Sequence, residues 1–164
     1  MIYLISGEGR GAGKTTFARK MGGKVYSLAG AIRADLERMY PAYPWHAQDQ
    51  ETKDNTRISE WDNLSMREVM VRYGQSKCID NPAYWAIILG QTIANETSYK
   101  RFPLVVDDVR KIVELDHFHD TFGKGEILHF HIVNPLADAE DYDNRELMSR
   151  ADYLVTWQSK NEEK

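Results

Sequence analysis

The feature that most constrains this chain is a glycine-rich turn near its start, Ser6-Gly7-Glu8-Gly9-Arg10-Gly11-Ala12-Gly13-Lys14-Thr15-Thr16. It follows Ile2 to Ser6, a short apolar run rich in β-formers, and precedes Lys14 to Met21, a stretch of helix-compatible composition that Gly22-Gly23 stops. A strand, a glycine turn ending in Gly-Lys-Thr and a helix form the context that a phosphate-binding loop requires. Glycines let backbone amides converge on phosphate oxygens, and the helix beginning near Lys14 adds its positive end. Lys14 is placed to reach β- and γ-phosphates, and the Thr15 hydroxyl to bind Mg²⁺. The usual spacing would put the first glycine at Glu8. Gly7 lies one residue upstream, so the loop reads as one residue longer, or as closed by Gly9 and Gly11. The expected ligand is ATP with Mg²⁺, cradled by Gly9, Arg10, Gly11, Ala12, Gly13, Lys14, Thr15 and Thr16.

The rest of the chain alternates strands and helices. Val25 and Tyr26 read as a short second strand, and Ala29 to Tyr40 as a helix with Ile32, Leu36 and Met39 in phase, ended by Pro41. Residues 41–64 read as a polar surface excursion of weak helical content. Ser65 and Glu68 predict a capping box opening the helix Met66 to Tyr73, closed by Gly74. Asn81-Pro82 opens another helix to about Thr97. Leu104 to Asp108 is an apolar strand ending in two acids, Lys111 to Thr121 a helix, Ile127 to Val133 a strand and Tyr153 to Trp157 a last strand. This order predicts an α/β fold: a doubly wound, mostly parallel, five-stranded sheet with helices on both faces.

Length and composition bound the rest. With 164 residues, one domain is expected over 1–164; the 42% hydrophobic content supplies a core and the net charge of -4 argues against a generic nucleic-acid coat. No apolar run approaches a membrane span, MIYLIS lacks the basic start of a signal peptide, and the single Cys78 forbids an internal disulfide. A cytoplasmic location is expected. His117, His119, His129 and His131 invite a metal reading. Only His129 and His131 share a face, and no neighbouring cysteine or carboxylate completes a tetrahedral set.

The chain lacks the Asp-x-x-Gly and Asn-Lys-x-Asp signatures of switch GTPases and is short for a motor ATPase. It resembles the phage-type deoxynucleoside monophosphate kinases, within the P-loop nucleoside monophosphate kinase group. The stretches are Ile5-Ser6-Gly7 with Gly13-Lys14-Thr15, Leu28 to Arg33, Met66 to Met70 through Tyr73-Gly74, Tyr84-Trp85, Val105 to Arg110 (VVDDVR) and Ala151 to Val155, in the family's order across nearly the whole chain. Tyr73-Gly74-Gln75 stands where the family has Leu-Gly-Thr. The resemblance implies transfer of the γ-phosphoryl group from ATP to a deoxynucleoside monophosphate, an acceptor-binding insertion at about 30–80, a lid-like segment at about 135–150, and a possible homodimer. A host-cell cytoplasm follows if the source is viral.

Strand-end acids of the Asp107-Asp108 kind hold Mg²⁺ through water or accept a substrate proton. By resemblance, Asp108 is the family's acid and Arg110 clamps the acceptor phosphate, a task for a planar bidentate donor. The plain alternative is a strand-end ion pair. Resemblance likewise sets Arg33, Arg67, Gln75, Lys77 and Trp85 at the acceptor. Solvated helix arginines, ordinary loop residues and core packing of Trp85 against Ile87, Ile88 and Ile93 are the competing readings. Lid arginines neutralise charge on the transferred group in such kinases; Arg150 fits the family pattern, while Arg145 pairs locally. Two rivals remain at this stage: a P-loop kinase acting on a hydroxyl (modified DNA base, coenzyme precursor or sugar) with Asp108 as base, and a non-catalytic ATP-binding module.

Overall fold

The structure is a computed structural model and describes residues 1–8, 12–47, 49–96, 103–135 and 144–156. Seven strands and seven α-helices follow one another within those residues: β1 (Ile2–Gly7), α1 (Lys14–Lys20), β2 (Lys24–Ser27), α2 (Leu28–Met39), α3 (Gln50–Asn55), β3 (Arg57–Ile58), β4 (Leu64–Ser65), α4 (Met66–Cys78), α5 (Tyr84–Asn95), β5 (Leu104–Val109), α6 (Ile112–Phe122), β6 (Ile127–Val133), α7 (Asn144–Ser149) and β7 (Tyr153–Thr156). Five strands make one sheet in the order β2-β5-β1-β6-β7, with every pair parallel. The expected doubly wound sheet is present. Each strand of β1 and β5 alternates between faces, as a parallel strand covered on both sides must. Ile2 and Leu4 with Leu104 and Val106 join the large core under α2, α4, α5 and α6, whereas Ile5 and Val105 join Ala18 of α1 in a smaller core on the opposite face.

The chain leaves β1 toward β2 and later leaves β5 toward β6, on the other side of β1. The carboxyl ends of β1 and β5 therefore flank a topological switch point, where open α/β sheets bind ligands. Between β2 and β5 the chain makes α2 to α5, all stacked on one face.

Two expectations about this insertion are corrected. Residues 41–64 are more than a surface excursion. Trp45 is fully buried with its indole nitrogen donating to the Tyr40 carbonyl at 2.8 Å, α3 is capped by Asp49, and β3 and β4 pair antiparallel. The polar composition hid one large apolar anchor. Gly74 also does not close α4, which runs on to Cys78, so Gln75 and Lys77 lie within the helix and not after it. Glycine costs a helix about 1 kcal/mol relative to alanine, which packing easily outweighs. Here a Cβ at Gly74 would stand 2.9 Å from Ile32 Cδ1, and the Gly74 carbonyl accepts a 2.9 Å hydrogen bond from the Trp85 indole. The glycine lets α4 lie close on α2. The Ser65–Glu68 capping box is present as expected. Smaller shifts occur at element ends, and the predicted strand residue Trp157 and helix residue Thr97 lie outside the described residues.

Candidate functional site

Gly13, in the left-handed conformation at φ 91°, caps α1 and turns the chain into Lys14 and Thr15. Gly7 at the end of β1 has no room for a side chain, since a Cβ there would meet the Ile132 carbonyl at 2.8 Å and Lys14 Cγ at 3.3 Å. The Lys14 ammonium reaches back to the Gly7 carbonyl at 3.4 Å and lies 3.6 Å from Asp108 Oδ1. Ala12 is buried and Thr16 exposed. Gly9, Arg10 and Gly11, the centre of the expected cradle, lie outside the described residues.

Across from this turn, β5 is irregular. Leu4 of β1 pairs with Val106 but Ser6 pairs with Val109, so β5 carries one extra residue, and Asp108 takes a φ of 71°. Bulges of this kind re-aim side chains beside functional sites, and a non-glycine residue in this region stores on the order of 1–3 kcal/mol of strain. In an even strand Asp107 and Asp108 would point to opposite faces. The bulge turns both toward α1. Asp107 accepts from the Thr15 hydroxyl at 2.9 Å, and Asp108 contacts Lys14 and, at 2.7 Å, Arg110. Burial pushes the Asp107 carboxyl above its ordinary range, against the opposing effect of the Thr15 hydroxyl. Its Oδ1 is buried with no hydrogen-bond partner among the described residues. Glu114 of α6 holds the following loop, one oxygen accepting from the Arg110 and Lys111 amides at 2.8 and 3.0 Å.

Thr15, Asp107, Asp108 and Arg33 line one cavity of about 300 Å³. Arg33 enters it from α2. Burial draws its guanidinium below the usual value while Asp107 and Asp108 oppose that, and its Nε has no hydrogen-bond partner among the described residues. Behind it stands a residue that sequence reasoning missed: Lys53 of α3, only 8% exposed. Burial and then the nearby charges of Arg33 and Arg67 lower its ammonium pKa. Three cations on three helices thus converge, a signal hidden because Lys53 sits in a segment read as surface. Arg67 itself is tied to Asp54 and Gln50.

The remaining candidates separate. Lys77 lies over the Tyr73 and Tyr84 rings at 5.4 and 5.8 Å, Gln75 is exposed, and Trp85 is buried in an aromatic cluster with Tyr73 and Tyr84. Arg150 is held by Asp116 of α6 and Glu146 of α7 and is not among the residues that line the cavity with Thr15, Arg33, Asp107 and Asp108. Arg145 is exposed, and residues 136–143 of the expected lid lie outside the described residues.

His129 and His131 do share a strand face. They flank the Ser6 hydroxyl, 2.7 Å from His129 Nε2 and 2.8 Å from His131 Nδ1, directly before Gly7. A hydroxyl has one proton, so it donates to one ring and accepts from the other. Among the described residues no group of three His, Cys, Asp or Glu side chains stands ready for a metal, and no helix is long and apolar enough to cross a membrane. Cys78 is half-buried, with burial pushing its thiol pKa up.

No protein-family model matches the chain, and no curated protein matches it. Among solved structures, the crystal structure of TT1252 from Thermus thermophilus is similar over 97% of this chain and 89% of that chain, at 13% identity and a TM-score of 0.46. A likeness of that degree carries no assignment.

Proposed function

We propose that the protein is a kinase of deoxynucleoside monophosphates, passing the γ-phosphoryl group of ATP to the acceptor phosphate to give ADP and the diphosphate. One observation carries this reading. Lys14 and Thr15 of the glycine turn, the acids of the β5 bulge, and two arginines from other elements, Arg33 and Arg110, meet at the carboxyl edge of the sheet. A mere nucleotide sensor has no use for the second set of cations. The family resemblance of the sequence points the same way.

Phosphoryl transfer asks the protein for position and charge more than for covalent chemistry. Lys14 would neutralise the β- and γ-oxygens, with Asp108 holding its ammonium near them. Arg33 and Arg110 would fix the acceptor phosphate in line and offset its repulsion with the donor; planar forks suit that task better than ammonium groups. Lys53 adds positive potential from behind. The all-oxygen set of Thr15, Asp107 and Asp108, whose Asp107 Oδ1 has no hydrogen-bond partner among the described residues, fits a hard cation. Thr15 and Asp107 would hold Mg²⁺, whose chemistry is to screen charge on the phosphates.

The test is ADP formation by the purified protein against deoxy- and ribonucleoside monophosphates, sugars and DNA. Turnover with monophosphates alone supports the proposal. Turnover with hydroxyl acceptors alone replaces it by a hydroxyl kinase using Asp108 as base, and ATP binding without turnover replaces it by a binding module.

A further inference from the structure

A second, larger cavity of about 560 Å³ opens between α2 and α5, and it shares Val25, Tyr26 and Ser27 with the phosphate-side cavity. The two are therefore neighbouring chambers along the end of β2, with α2 as the divider. Ala29 and Arg33 line one chamber, and Gly30, Ala31, Ala34, Asp35 and Arg38 line the other. The helix repeat explains the split, since positions four apart share a stripe and positions one apart turn by about 100°. Ala31 and Ala34 keep the α2 wall low, and Ile88 and Leu89 of α5 supply the apolar wall opposite. A slot of this size and lining suits a flat heterocycle with its sugar.

Its polar groups are few. Ser27 is spent on the Gly30 amide and Thr92 on the Ile88 carbonyl. Among the described residues, the only charged side chains lining the slot are Asp35 and Arg38, one turn apart and paired with each other. Asp35 is fixed from behind by the Tyr73 hydroxyl, which donates to its Oδ2. Its side chain is 19% exposed, whereas that of Arg38 is 79% exposed at the mouth. A positioned acceptor beside a donor at the mouth matches one base edge best. Guanine sets two donors, N1–H and the 2-amino group, next to the O6 acceptor.

We infer that the α2–α5 slot seats the nucleoside of the acceptor monophosphate, its phosphate toward Arg33, and that Asp35 with Arg38 reads a guanine edge. This rests on the monophosphate-kinase reading and adds the substrate's base. Asp35 accepts from N1–H and the amino group, and Arg38 donates to O6. Adenine reverses this order at the same edge, and thymine lacks the second donor.

Two measurements test it separately from the kinase reading. The first is calorimetric binding of guanosine and adenosine without ATP, to the wild type, to Ala34→Phe, which fills the slot from an exposed helix position, and to Tyr73→Phe. Guanosine binding that Ala34→Phe abolishes and that Tyr73→Phe, by freeing Asp35, weakens supports the slot. Equal binding of both nucleosides, no binding, or binding untouched by Ala34→Phe overturns it, whatever the enzyme turns over. The second is kcat/KM for dGMP, dAMP, dCMP and dTMP with the wild type and Asp35→Asn. The expectation is a dGMP preference that Asp35→Asn cuts by about 10- to 100-fold with the KM for ATP unchanged. A different preferred base, or a loss equal for all four, overturns the base assignment. Absence of turnover with every monophosphate sinks the kinase reading, and the nucleoside binding data then decide the slot alone.

Discussion

The Thr15 hydroxyl donates to Asp107 Oδ2 at 2.9 Å, joining the first turn of α1 to the irregular end of β5. This one contact sets the glycine turn against a buried acid whose second oxygen has no hydrogen-bond partner among the described residues.

Asp107→Asn should therefore stabilise the ligand-free protein while abolishing function. The carboxyl's pKa is raised by burial, so the folded state holds its proton more tightly than the unfolded chain. Ionisation then costs stability above the ordinary carboxylate pKa, and the cost disappears as pH falls. The amide removes it and still accepts from Thr15. Thermal unfolding at pH 7.5 should show a gain of about 1 kcal/mol, or about 3 °C for a chain of this size. The gain should vanish near pH 3.5, and ATP turnover with Mg²⁺ should fall by about 100-fold. A destabilised apo variant would contradict the assignment.

Asp108 makes the opposite trade. Its φ of 71° suits glycine or asparagine far better than a branched residue. Asp108→Val should cost roughly 1–3 kcal/mol in urea unfolding, and Asp108→Gly should be nearly neutral; both should be inactive. Equal stability of the two would show that the bulge is not held in that conformation.

Arg110→Ala should lower kcat/KM for the monophosphate by on the order of 10- to 100-fold, the value of a charge-assisted contact of about 1.5–3 kcal/mol. ATP affinity should stay nearly constant, and Arg110→Lys should rescue little. Parallel loss of ATP binding would remove Arg110 from the acceptor side.

Acid should unfold the protein partly through His129. Burial pushes this ring down to about 4. The folded state keeps it neutral while the unfolded chain protonates it near 6.5, so its contribution is complete above pH 6.5 and is lost as pH falls toward 4. The loss amounts to about 3 kcal/mol at most. Urea midpoints measured between pH 7 and 4 should fall less for His129→Leu than for the wild type; identical slopes would count against it.

Much of this was legible from residue order. The glycine turn, the strand ending in Asp107-Asp108 and the alternation of strands and helices were visible because each has a local signature. The Ser65–Glu68 box was likewise local. What escaped depends on the third dimension. Trp45 and Lys53 are buried by partners distant in the chain, in a stretch whose average polarity says surface. Gly74 looked like a stop because the close approach of Ile32 is invisible from α4 alone. The bulge was hidden because only pairing with β1 shows that β5 holds one residue too many. Arg150 is assigned by resemblance, and its ion pair with Asp116, thirty-four positions earlier, has no signature in residue order.

That extra residue couples strand length to chemistry. An in-frame loss of either Asp107 or Asp108 would bring β5 back into even step with β1 and mend the ladder between Leu4 and Ser6. It would also leave a single acid facing Thr15 and Lys14. A better sheet would be a poorer site, so at this point the count of residues matters to the protein as much as their identity.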